Sequence, residues 1–232
     1  MSMPALHEYP SRGTCAQALA DALAERLREG IAKNGRATLV LSGGSSPIDL
    51  FERLALIELD WSRVTVLPSD ERWVSSDHAD SNEAALRQHL LYGPGNAARL
   101  FGLYRDAPTP GEALSDLNTA LAELPRPFDA VVLGMGDDGH TASLFPDASN
   151  IEACLASDAD CVVPDRPNDD GPARISLSLK RLLATRSLYL LFFGDDKRRV
   201  YDKACRPGPA TEFPVRGVIQ QDDVPVDVYW SD

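Results

Sequence analysis

The sequence predicts an α/β protein whose largely parallel sheet is covered by helices on both faces. Three observations predict it. Short apolar runs alternate along the chain with longer segments of helical period, the grammar of successive strand–helix units. Runs such as ATLVL are apolar throughout, as strands buried on both faces are. Four polar loops, at 42–46, 69–73, 134–141 and 194–198, each directly follow an apolar run.

Taken in order, residues 14–34 carry Ala18, Leu19, Ala22, Leu23, Leu27 and Ile31 on one helical stripe. Thr14 with Gln17 fits a capping box, and Gly35 fits the stop. Ala37–Leu41 is a short buried strand that runs into a glycine turn. Ser46-Pro47 then supplies an N-cap and a first-turn proline for a helix reaching about Leu56. Val64–Leu67 is a strand before SDERW, and Ser81–Leu91 is a helix. Gly111–Leu124 is another helix, and Ala130–Leu133 is a strand before GMGDDGH. Ser187–Phe193 is a strand before GDDKRRVYDKA, whose second half is helical, and Val226–Trp230 is the last strand. Residues 157–173 are the least regular stretch and are expected to be a surface excursion within one domain spanning 1–232.

Composition narrows the function classes. A formal net charge of −12 disfavours general binding to nucleic acid or anionic membranes, because the long-range field repels both. A small anion is still admissible where a few Lys and Arg converge. Cys15, Cys154, Cys161 and Cys205 show neither CxxC nor metal-ligand spacing and are expected to be reduced thiols. No apolar run has the roughly 18–20 residues of a membrane span, and MSMPALHEYP lacks the pattern of a secretion signal. A cytoplasmic protein is expected, with no metal.

In parallel sheets ligands bind beyond the carboxyl ends of the strands, so the four loops are expected on one edge. SGGSSP offers glycines for close approach and a helix N-terminus for a phosphate or an oxyanion, although an ordinary strand-to-helix turn reads the same. GMGDDG matches G-x-G-x-x-G, but no acidic strand end follows at the distance a dinucleotide site needs. In SDERW, Arg72 either pairs with Asp70 or turns toward a ligand. Lys197 stands at a helix start, where a cation makes sense beside an anion. His140 is the candidate for proton transfer, with Asp138 or Asp70 to hold its ring. No G-x-S-x-G elbow supports a serine nucleophile, so water is the expected attacker.

SGGSSP, SDERWV with SNEAALRQHLL, LGMGDDGHTASLFP, ARISLSL, and GDDKRRVY followed by PVRGVI occur in this order. Over roughly residues 37–232 the chain thereby resembles the 6-phosphogluconolactonases, most specifically at DGHTASLFP. The resemblance implies an open, Rossmann-like α/β/α sheet and hydrolysis of 6-phosphoglucono-1,5-lactone to 6-phosphogluconate without a required cofactor. It implies that His140 activates water, with Asp138 beside it and Arg72 at the substrate. Gly43, Gly44 and Ser45 match the ligand loop, Lys197 a phosphate clamp and Arg174 a further anion contact. Either Arg72 or backbone N–H groups would then serve the oxyanion. Ser46 and Ser176 stand where threonine is usual, and both keep the hydroxyl. The expected partner is a small phosphorylated sugar lactone, with the protein a monomer or small homo-oligomer. Two alternatives differ in kind. A glucosamine-6-phosphate deaminase would carry a glutamate after DGH, where this chain has TASLFP. A non-catalytic sugar-phosphate sensor would lack His140 or Arg72.

Overall fold

A computed structural model describes residues 4–232. The chain enters through β1 (Ala5–Tyr9) and the long helix α1 (Arg12–Asn34). Next come β2 (Ala37–Leu41), α2 (Ile48–Ala55), β3 (Val64–Pro68), β4 (Asp70–Arg72) and α3 (Asn82–His89). β5 (Arg99–Leu100), α4 (Pro110–Ala122), β6 (Ala130–Gly134) and α5 (Ile151–Ala156) follow. The remainder is β7 (Cys161–Val162), β8 (Arg174–Leu177), α6 (Leu179–Leu183), β9 (Leu188–Phe193), α7 (Asp195–Ala204), α8 (Arg216–Ile219) and β10 (Val226–Ser231).

Seven strands form one sheet in the order β1-β10-β9-β6-β2-β3-β5, every neighbouring pair parallel. Side-chain alternation divides the core. Leu39 and Leu41 of β2 pack with Leu19, Leu23 and Leu27 of α1 and with Phe51 of α2. Val40 points the other way, into a cluster with Leu117 of α4, Tyr201 of α7 and Val218 of α8. The result is the expected open three-layer sheet. Its strand order reverses between β2 and β6, and a ligand crevice belongs at such a switch point.

Several local expectations shift. Ser11, not Thr14, caps α1, accepting a hydrogen bond from the Thr14 N–H at 3.2 Å. Gly35 ends that helix as predicted, in the left-handed region at φ 73°. Ser46 does not cap α2, whose N-cap position is held by Pro47 without a side-chain hydrogen bond. The edge strand β1 is absent from the sequence reading because a half-exposed ALHEY carries no apolar run. Part of the stretch at 157–173 is internal rather than superficial: Cys161 and Val162 are buried as β7. With β8 and β4 that strand makes a second, antiparallel sheet in the order β4-β8-β7. A two-residue strand has no period to detect. The four cysteines are free thiols, three of them buried. Among the described residues no helix is long and apolar enough to cross a membrane.

Candidate active site

β9, β6, β2 and β3 are successive neighbours, so the loops leaving their carboxyl ends meet on one edge. They enclose a cavity of about 330 Å³. Gly43, Gly44 and Ser45 line it from the β2 loop, His140 from the β6 loop and Lys197 from the start of α7. Arg72 enters from β4 and Arg174 from β8, two positions directly opposite in the antiparallel register. Every residue expected at the site lines this cavity except Asp138, which lies behind His140.

The turn after β6 is built around the imidazole. His140 Nδ1 lies 2.6 Å from Asp138 Oδ1, which also accepts the His140 backbone N–H at 3.0 Å. Asp138, not Asp70, holds the ring. Burial pushes the Asp138 carboxyl up, but the hydrogen bonds from the His140 ring and backbone outweigh it and hold it below the usual carboxylate range. An ionised carboxylate only accepts, so Nδ1–H donates to Asp138, and in the neutral ring the lone pair is on Nε2. The Phe145 ring packs on the imidazole with centroids 4.6 Å apart. Arg166 covers Phe145 at 4.0 Å and is itself tied to Asp147 and Asp169. A methyl group on Gly136 would overlap the imidazole, which explains a glycine there. Beyond the histidine, Ala142 occupies the left-handed region at φ 48°, an uncommon conformation for alanine.

The cations divide into two kinds. Arg72 is held: its Nη1 donates to the Asp80 carbonyl at 2.9 Å and to Asn82 Oδ1 at 2.8 Å. The side chains of Arg174 and Lys197 make no hydrogen bond or ion pair with any described residue. Arg174 Nε is buried without a partner. Burial, with Arg72 close by, pulls the Arg174 guanidinium below its ordinary range. An anion in the cavity would give the buried Arg174 Nε the partner it lacks and would meet the half-buried Lys197 beside it.

Asp70 is the carboxylate in the cavity wall, and serine hydroxyls occupy both its oxygens. Ser69 Oγ donates to Oδ1 at 2.8 Å and Ser143 Oγ to Oδ2 at 2.6 Å. The Ser143 N–H donates to Ser176 Oγ at 3.2 Å, so the hydroxyl at this threonine-like position fastens the histidine loop to β8. Asn82, Phe145 and Ser143 escaped the sequence reading as functional residues. For Asn82 the one signal was a polar residue directly after the serine N-cap of a short helix.

The family description "glucosamine-6-phosphate isomerases/6-phosphogluconolactonase" matches residues 10–230 of the chain. The chain belongs to this family. It is 43% identical over 230 residues to a 6-phosphogluconolactonase of Pseudomonas putida, covering 97% of this chain and 92% of that one. Identity to a 6-phosphogluconolactonase of Mesorhizobium japonicum is 38% over 224 residues, covering 96% and 93%. Among solved structures, a 6-phosphogluconolactonase from Shewanella baltica superposes with a TM-score of 0.96 at 37% identity, covering both chains completely. Family membership accounts for the open sheet.

Proposed function

We propose that this chain hydrolyses 6-phosphoglucono-1,5-lactone to 6-phosphogluconate. The observation that carries the reading is an imidazole anchored through Nδ1 at a cavity that also holds two unpaired cations. In this reading Arg174 and Lys197 take the phosphate, since a dianion supplies the partners they lack. His140 Nε2 accepts a proton from water, and the hydroxide adds to the lactone carbonyl. The oxyanion that forms meets Arg72, whose guanidinium is already fixed; a donor that needs no reorganisation is the kind that lowers a barrier. Collapse breaks the bond to the ring oxygen, which takes the proton back from the imidazolium. A cytoplasmic place of action accords with the four free thiols.

The test is acid release from the lactone, corrected for spontaneous hydrolysis. His140→Ala should lose about 10²–10⁴-fold in kcat. Arg174→Ala and Lys197→Ala should raise KM. Near-normal turnover without His140, or unchanged KM in both cation variants, would overturn the assignment. Ammonia release from glucosamine 6-phosphate, measured in parallel, should be absent, because TASLFP after DGH carries no carboxylate.

A further inference from the structure

Asn82 is the first residue of α3, 2% exposed, and its amide stands where three segments of the site meet. Nδ2 donates to the Asp70 carbonyl at 2.7 Å, and Oδ1 accepts from Arg72 Nη1 at 2.8 Å. A carbonyl only accepts and a guanidinium only donates, so the amide has one satisfied orientation. The Asn82 backbone N–H is also fixed, donating to Glu71 Oε1 at 2.7 Å. On the remaining side lies Gly43, where any β-carbon would overlap the Asn82 amide. The β2 loop therefore approaches closely enough that only glycine fits against this side chain.

We propose that Asn82 is a positioning residue: its amide fixes the Arg72 guanidinium at the reacting end of the cavity and sets the closest approach of the Gly43 loop. The proposal rests on the assignment of Arg72 to the developing oxyanion. A guanidinium on a long side chain has several rotatable bonds, and a free one would lose orientation in most of its rotamers. Asp80 supplies only one backbone carbonyl to restrain it, so the amide is its second anchor. An aspartate at position 82 would not serve equally. It would set a carboxylate oxygen against the Asp70 carbonyl and would neutralise the charge Arg72 brings to the substrate.

The experiment is a double-mutant cycle on lactone hydrolysis with Asn82→Ala, Arg72→Ala and the double variant. Asn82→Ala should lower kcat by about 10- to 10²-fold, the penalty of misplacing a reacting group by about 1 Å. In the Arg72→Ala background the same substitution should change almost nothing, because there is no longer a guanidinium to place. Additive losses, or an unaltered kcat/KM in Asn82→Ala, would overturn the positioning role. A non-additive loss that falls in KM rather than kcat would uphold that role and instead overturn the oxyanion assignment of Arg72. Should Asn82→Ala fail to fold, Gly43→Ala asks the same question. It presses on the amide while leaving every hydrogen-bonding side chain in place. A loss that disappears in the Arg72→Ala background supports the proposal, and full activity in Gly43→Ala overturns it.

Discussion

The backbone of Gly136 runs close against the Nδ1–Cε1 side of the His140 imidazole, and the Phe145 ring also packs on it. Together with the Asp138 carboxylate, these contacts leave the ring little choice of orientation. A side chain at 136 must therefore displace the imidazole rather than merely crowd a turn. Gly136→Ala is expected to fold and to lose about 10²-fold in kcat, as a displacement near 1 Å implies. Steady-state kinetics alongside a thermal melt checks this, and an intact kcat would show that the ring has room to spare. This pair illustrates what was legible at the site. GMGDDGH announces a tight turn with a titratable residue, and the turn is where the sequence places it. The partner of the ring was left open between two aspartates, since spacing does not say which way a loop folds back. The aromatic cover was invisible for the same reason.

Among the elements, β4 and α3 depend on one carboxylate. Glu71 is wholly buried, and both its oxygens accept hydrogen bonds. Oε1 takes the N–H groups of Arg72 and Asn82, at 2.8 and 2.7 Å. Oε2 takes the Glu83 N–H at 2.8 Å and Ser81 Oγ at 3.1 Å. Burial pushes this carboxyl up against the pull of those four donors, so the charge is not held more favourably than in water. Removing it is nevertheless costly, because the donors remain buried. Glu71→Gln turns an NH2 group toward two of them and should destabilise the fold by about 3 kcal/mol, with stranded donors at about 1–3 kcal/mol each. Urea unfolding measures it, and an unchanged midpoint would deny Glu71 its role as the splint. Strand and helix periods had located β2, β3, β6 and β9 together with α2, α3 and α4, but not the short α5 and α6. SDERW, by contrast, reads as a polar loop, because a three-residue strand of charged side chains has no apolar signature. Its strand character comes from pairing with β8, about a hundred residues away.

For the whole molecule, closure at the N-terminal edge is a tertiary matter. β1 adds to β10 in parallel over five residues, His7 meets Asp227 at 2.9 Å, and Glu8 pairs with Arg198 of α7. Removing residues 1–10 uncovers the edge of β10 and part of the face under α1. The truncated chain should melt about 2–8 °C lower, the shift that roughly 1–2 kcal/mol makes in a chain of this size. A melting temperature within a degree of the full chain would make β1 an accessory. By itself the sequence determined the α/β class, most of the parallel strands, and the shared edge on which four loops would gather. Those properties follow from local period and from the direction in which a strand feeds a helix. Only the tertiary structure decided that β8 would set Arg174 opposite Arg72, that Asn82 would pin that arginine, and that Arg174 and Lys197 would face the cavity unpaired. Such relations join residues distant in the chain, and they are fixed by how layers pack and hydrogen bonds close, which no local pattern encodes.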